Sequence, residues 1–318
     1  MTGLLCLLLG VGLDVVLGDP QGRWHPVVGL GQVIKFLERL LFPKKRNFRR
    51  ELVLGFVMVV IVVGGLGAGY FLLRRWLFSL SPLVFVALET YLIFSFLAIR
   101  TLLLRGKEVE EALRGHDLPR ARQALRHLVG RDTESLSEWE VVRACVESLA
   151  ENFNDAIVAP LLYIALFGGL GGLVYKAINT LDSMVGHKDF RYCFFGFASA
   201  RLDDVANFVP ARLSAVFIGM AALFCGRLWR GAFSLAFRDA SKHPSPNAGW
   251  PESAMAGALG VRLGGVNYYQ GKREERPFLG EPILDLLPVR IEEARQIIVV
   301  GTGMAVFFFS LLALFFSL

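Results

Sequence analysis

Three long apolar runs, Leu52–Leu73, Leu80–Ile99 and Ile297–Phe316, limit what this chain can fold into. Each approaches or exceeds the roughly 18 apolar residues that argue for a membrane-spanning helix. A fourth stretch, Met1–Leu17, is interrupted only by Asp14. It has neither a basic leader nor a small-residue cleavage site, so it reads as a retained span rather than a removed signal peptide.

The remaining composition agrees. With 54% of its 318 residues hydrophobic and 26 Phe, the chain is too apolar for an ordinary soluble domain. Its four cysteines are scattered without a CxxC pair, which indicates neither a disulfide framework nor a zinc site. The net charge of +6 is concentrated, with seven Lys or Arg between Lys35 and Arg50 against Glu38 alone. By the positive-inside bias that loop is cytoplasmic. The tract is juxtamembrane and carries no recognisable binding module, so nucleic acid is not an expected partner.

These features predict an all-α polytopic membrane protein embedded in the cell membrane as a single domain. Four full transmembrane helices are expected at about 1–17, 52–73, 80–99 and 297–316, with two broken or re-entrant apolar helices at about 156–175 and 213–226. Cytoplasmic helical sections fill about 100–155 and 227–296. In the first section, Ser135–Glu138 and Ser137–Glu140 offer overlapping helix starts of capping-box form. Trp139, Val142, Val146, Leu149 and Phe153 then make an apolar face opposite a stripe of carboxylates. In the second, Val261–Gly271 predicts a small hairpin with Gly264–Gly265 at its turn. Glu89, inside an apolar run, needs an interhelical structural partner.

The segment Ala156–Tyr175 is long enough to cross, but Pro160 and four glycines interrupt it, and Leu213–Gly226 has only 14 residues. If both crossed, the polar stretch between them would lie outside. If both dip in and return, every polar cluster stays on the cytoplasmic side. The second arrangement is preferred, since broken helices are tolerated at membrane depth where protein or a cavity covers them.

Five polar clusters punctuate this frame. The first is Asp14, Asp19, Arg23 and His25, at the end of the first apolar run. The second is Glu147, Glu151, Asn152, Asn154 and Asp155, whose carboxylates recur every fourth residue and so share one helical stripe. Like charges at that spacing repel, so something cationic should offset them. Carboxylates beside amides suit hard Mg²⁺, which binds through one or two carboxylates plus substrate phosphate. The third runs through Lys176, Asn179, Asp182, Ser183, His187, Lys188 and Asp189, and the fourth through Arg201, Asp203, Asp204, Asn207 and Arg212. The fifth is a Pro-rich loop with Asp239, Lys242, His243, Ser245, Asn247 and Glu252. A loop so dense in polar groups reads as a binding loop rather than a spacer. Each cluster taken alone also reads as a solvated face or loop. No P-loop, dinucleotide fingerprint, HExxH or GxSxG accompanies them.

The same clusters resemble the CobD/CbiB family of cobalamin-biosynthesis membrane proteins. The strings that carry the resemblance are GDPQGRWHPVVGLGQ, ESLAENFNDAIVAPLLY, YKAINTLDSMVGHKD, ARLDDVANFVPARL and DASKHPSPNAGWPESAMAGALGVRLGG, in order from Gly18 to Gly265. The resemblance implies adenosylcobinamide-phosphate synthase activity facing the cytoplasm. In that reaction the propionate carboxylate of adenosylcobyric acid is joined to the amine of (R)-1-amino-2-propanol or its O-phosphate, with ATP hydrolysed. ATP would convert the carboxylate to an acyl phosphate that the amine attacks, which calls for Mg²⁺, cationic neutralisation and a base.

On that chemistry, Glu147, Glu151, Asp155 and Asp182 are expected to hold Mg²⁺–nucleotide. Lys176, Lys188, Arg201 and Lys242 would face phosphate oxygens, and His243 or His25 would be the amine's base. Asp14, Asp19, Arg23, Asn152, Asn154, Asn179, Ser183, Asp203, Asp204, Asn207, Ser245, Asn247 and Glu252 would line the substrate site. No tightly bound cofactor is expected, and no histidine is assigned to cobalt. A homo-oligomer or a complex with other corrinoid-pathway enzymes is an expected setting. The rival readings are a non-enzymatic scaffold or sensor like the AmpE-type membrane proteins, and a corrinoid or ion transporter. Substrate-dependent ATP hydrolysis separates the ligase from both.

Overall fold

The computed structural model describes residues 2–20, 22, 25–187 and 189–316, and they are mostly helical. The chain runs through α1 (Thr2–Leu17), α2 (Pro26–Leu41), α3 (Phe48–Val59), α4 (Gly65–Leu80), α5 (Pro82–Phe96), α6 (Ile99–Arg114), α7 (Leu118–Leu125) and α8 (Glu138–Phe153). It continues through α9 (Ala159–Phe167), α10 (Gly169–Val185), α11 (Phe197–Ala206), α12 (Phe208–Phe224), α13 (Trp229–Asp239) and α14 (Gly249–Leu259). The strands β1 (Arg262–Tyr269) and β2 (Lys272–Gly280) and the long α15 (Val289–Phe315) complete it. Short π-helical segments, Val60–Gly64 and Asn154–Val158, join α3 to α4 and α8 to α9.

Among the described residues, three helical runs are long and apolar enough to cross a membrane: Phe48–Leu80, Pro82–Arg114 and Val289–Phe315. A fourth is reached if the bent pair Phe197–Ala206 and Phe208–Phe224 forms one span. This is a membrane protein, but three of the four expected full spans are met. The first, α1, has 16 residues and falls short of the roughly 18 that a span requires. The break expected within 156–175 is at Gly168, whose φ of 66° ends α9 before α10 begins. Asn154–Val158 forms a widened turn just before Pro160, which has no N–H to donate back along the helix. The short apolar helix expected at 213–226 begins earlier, as α12 at Phe208.

The helix starts follow local chemistry. His25 Nδ1 accepts the Val27 N–H at the start of α2, Asn47 caps α3, and Ser81 precedes Pro82 at the head of α5. Of the two overlapping capping boxes, the chain uses Ser137–Glu140, with Glu140 accepting the Ser137 N–H at 2.8 Å.

The described residues fall into two compact units. The first comprises Met1–Ala98, Ala159–Asn207 and Phe308–Leu318. Its core joins Leu30 and Ile34 of α2 to Met58 of α3 and to Leu181 and Val185 of α10. Glu89 has the interhelical partners it needed: its carboxylate accepts the Gly169 N–H at 2.6 Å, at the N-terminus of α10, and the Tyr70 hydroxyl. A buried carboxylate is stabilised there by the helix dipole and by amides with no intrahelical acceptor.

The second unit comprises Ile99–Val158 and Phe208–Phe307 and is built around α8. Every residue from Val141 to Ala150 is buried. The amphipathic helix expected from sequence is therefore enclosed on its carboxylate side as well. Part of that enclosure is the antiparallel hairpin of β1 and β2. Its turn is at Gln270–Gly271, with φ of 52° and 76°, and not at Gly264–Gly265 as the sequence suggested. Gly264 and Gly265 instead occupy an irregularity inside β1, with φ of 85° and 90°, where a side chain would strike Pro277 or Arg143. An added Cβ at Gly271 would meet nothing within 4 Å. Left-handed backbone alone costs a non-glycine residue about 1–2 kcal/mol. Gly264→Ala should therefore lower the melting temperature of the detergent-solubilised protein further than Gly271→Ala, and equal shifts would contradict this account of the bulge.

Candidate functional site

The second unit holds a buried charge cluster that fixes its geometry. Glu147 of α8 is only 4% exposed, and one carboxylate oxygen accepts from Arg131 while the other accepts the Gly264 N–H at 2.7 Å. Arg143, one turn earlier, donates to the carbonyls of Gly264 and Val266 and to the Asn267 amide oxygen, which also accepts from Arg131. Two guanidiniums, one carboxylate, the backbone of Gly264 and Val266 and the Asn267 side chain thus clamp the hairpin onto α8. Burial works against the charge on Glu147, but Arg131 and then Arg143 outweigh it and hold the carboxyl below its ordinary range.

Glu151, the next carboxylate on the stripe, has a different environment. It is exposed and has no hydrogen bond or ion pair among the described residues. The dense protein around it and the Asp155 carboxylate one turn on push its pKa up to about 7. The stripe therefore divides: Glu147 is neutralised by fixed arginines, whereas Glu151 meets the repulsion of the Asp155 carboxylate.

Facing the same electrostatic field are His243 and Glu252. His243 Nδ1 lies 3.0 Å from the Ser245 N–H and 3.3 Å from the Ser245 carbonyl; with the shorter contact made, Nδ1 accepts and the neutral ring's proton sits on Nε2. That Nε2 is buried with no hydrogen-bond partner among the described residues, 3.7 Å from Glu252 Oε1. Burial and the nearby Arg276 lower the His243 pKa to about 4, so the ring is neutral at physiological pH. Burial, reinforced by Glu147 and Glu151, raises the Glu252 carboxyl well above its usual range. Arg276 of β2 is itself held by the Tyr269 hydroxyl at 2.7 Å.

The Pro-rich loop is shaped by its own contacts. Buried Asp239 accepts from Arg238, from Lys242 Nζ at 2.6 Å and from the Gly280 N–H at 2.8 Å. Lys242, expected to face phosphate, is thus ion-paired within the loop. Ser245 Oγ accepts the N–H groups of Asn247 and Ala248 just before α14, a turn-stabilising role. Asn247 is buried beside it. On α8, Asn152 donates back to Ser148 at 2.9 Å, and Asn154, just beyond it, accepts from Ser214 of α12 at 3.0 Å while donating to Asp155. These amides brace the end of α8 and the Asp155 carboxylate.

The other expected site residues belong to the first unit. His25 Nε2 pairs with Asp19 at 2.8 Å while its Nδ1 caps α2, and Asp14 is fully buried in α1. Lys176, Asn179 and Ser183 lie at spacings of three and four on α10 beside Asp182, whose side chain folds over Gly186. Asn207 accepts from Tyr175 at 3.0 Å and donates to Asp203 at 2.9 Å. Tyr163 stacks on Tyr175 with ring centroids 5.3 Å apart and donates to the Ala206 carbonyl, linking α9, α10 and α11. Arg201 is exposed, 3.4 Å from Asp204. Arg23 and Lys188 lie outside the described residues.

Two expectations need correction. Among the described residues no group of three or more His, Cys, Asp or Glu side chains is placed to hold a metal ion, so Glu147, Glu151 and Asp155 of the second unit do not together form a ligand set. Glu147 in particular is occupied by arginine and backbone. Neither histidine presents a free ring lone pair as a base, because each Nδ1 already accepts a backbone N–H.

Sequence reasoning missed Arg131, Arg143, Asn267, Tyr269 and Arg276. Arg143 had a local signal, four residues before Glu147 on the same helix. The others reach the site through the hairpin and a connecting loop, which no local spacing reveals.

The raised Glu151 pKa carries a sign. Its contribution to folding is fully present below its ordinary pKa and is lost as pH rises through about 7. Glu151→Gln should thus stabilise the protein relative to the parent at about pH 8 but little at about pH 5, measured by thermal unfolding in detergent. A shift equal at both pH values would mean that Glu151 carries no such strain.

The family described as "CobD/Cbib protein" matches residues 7–298. The chain is 45% identical over 280 residues to "Cobalamin biosynthesis protein CobD" of Geobacter metallireducens, covering 88% of this chain and 87% of that one. It is 41% identical over 302 residues to "Cobalamin biosynthesis protein CbiB" of Salmonella choleraesuis, covering 93% of each. A third relative, "Cobalamin biosynthesis protein CobD" of Clostridium tetani, is 36% identical over 314 residues, 97% of each chain. No solved structure matches at a significant level. With the match running from α1 into α15, this chain belongs to the CobD/CbiB family.

Proposed function

We propose that the protein is an ATP-dependent acid–amine ligase of cobalamin biosynthesis, acting on the cytoplasmic side of the cell membrane. It joins adenosylcobyric acid to (R)-1-amino-2-propanol or its O-phosphate, giving adenosylcobinamide or its phosphate. The observation that carries this reading is the near full-length similarity to relatives named for cobalamin biosynthesis.

The second unit supplies chemistry that fits. Glu151, at the end of α8, and Asp155, one turn on, repel one another, and these two residues would hold a divalent cation, whose charge would offset that repulsion. Two carboxylates suffice for Mg²⁺ when phosphate oxygens and water complete its shell. When bound, Mg²⁺ neutralises phosphate charge. His243 then acts as a hydrogen-bond donor through its unpartnered Nε2–H, oriented by the Ser245 amide, toward an oxygen of the substrate. Arg276, braced by Tyr269, adds positive charge beside Glu252 and Glu151. Lys242 stays with Asp239 and keeps the loop in place.

Purified protein given adenosylcobyric acid, Mg–ATP and either amine should form the amide, detected by mass spectrometry, with ADP released alongside. Asp155→Asn should abolish turnover while leaving the fold intact. Folded protein that binds corrinoid yet makes no product would move the reading to transport or scaffolding. Retained turnover in the Asp155 variant would remove that residue from the metal site.

A further inference from the structure

A cavity of about 820 Å³ opens in the first unit, lined by residues of α1, α4, α5, α9 and α10 and the end of α15. Its volume lies within the roughly 300–1,000 Å³ of small-ligand sites. The walls are mostly apolar, with Leu4, Phe78 and Phe167 among them, and the polar lining includes Arg74, Arg75 and Glu89. Glu89 is already satisfied by Gly169 and Tyr70. The arginines are not: among the described residues neither has a hydrogen bond or ion pair. Each guanidinium rests over a ring, Arg74 at 5.6 Å from Phe85 and Arg75 at 5.9 Å from Phe71.

These two cations belong to the Phe48–Leu80 span, whose other end follows the basic loop at Lys44–Arg46. Positive residues gather on one side of a membrane, so a pair at the far end of such a span is an exception that calls for an anion. Hydrocarbon tails are as apolar as the cavity wall, so the wall alone does not select an occupant from the bilayer. The head-group charge does. Planar guanidiniums bind phosphate oxygens in matched pairs of hydrogen bonds. We propose that this cavity binds an anionic phospholipid, with its phosphate on Arg74 and Arg75 and an acyl chain against the apolar wall.

Native mass spectrometry of the full chain in detergent, supplemented with phosphatidylglycerol or phosphatidylcholine, tests this. Phosphatidylglycerol should be retained in preference. The double variant Arg74→Gln/Arg75→Gln should lose about fivefold in retention per arginine. Gly3 lines the cavity, and a side chain added there meets nothing within 4 Å. Gly3→Trp should thus reduce retention by filling the apolar part without altering charge, which keeps the test usable if the double variant fails to fold. Equal retention of the two lipids, or undiminished phosphatidylglycerol in the folded double variant, would overturn the proposal. Competition by inorganic phosphate, with Gly3→Trp without effect, would show an anion pocket and overturn the lipid assignment.

Discussion

The pairing of Glu147 with Arg131 and Arg143 is the interaction on which the second unit depends. It is buried, and it holds β1 against α8 through the amide of Gly264 and the carbonyls of Gly264 and Val266. Removing one partner from such a cluster typically costs about 3–5 kcal/mol, because the remaining charge is left buried and unpaired. Gly265 of β1 follows from the same contact, since a side chain there would occupy the space of the Arg143 guanidinium. Arg276, on the strand paired with β1, is positioned with the hairpin and brings positive charge to Glu252 and Glu151.

Along α8 the same residue type serves two purposes. Glu147 is saturated by protein donors and contributes rigidity. Glu151 meets the Asp155 carboxylate one turn on instead of a fixed arginine, and its pKa rises accordingly. The asymmetry comes from what faces each turn of the helix: arginines and a strand at the first, protein without a fixed arginine and a second carboxylate at the next.

The membrane character of the chain was legible because apolar runs announce themselves without tertiary information. So was the start of α8, where Ser137 and Glu140 act within one turn, and the need of Glu89 for partners on other helices. The two-glycine signal misled in the hairpin: positive φ is shared by turns and bulges, and the turn fell instead at Gln270–Gly271. Residues that approach from distant segments, Arg131 and Arg276, left no local trace. The spacing of Glu147, Glu151 and Asp155 was correct as a helical stripe, yet spacing could not tell which carboxylate would be consumed by arginine. Nor could sequence reveal that the Nδ1 lone pairs of His25 and His243 are taken by backbone amides.

The most direct test of this account is a double-mutant cycle on Arg131 and Glu147, read by thermal and denaturant unfolding in detergent. Arg131→Gln, Glu147→Gln and the double variant should give a coupling of about 1–3 kcal/mol, with the double variant losing far less than the sum of the single losses. A coupling near zero would contradict the claim that this pair holds the hairpin to α8, and would return Glu147 to the set of carboxylates available to a metal.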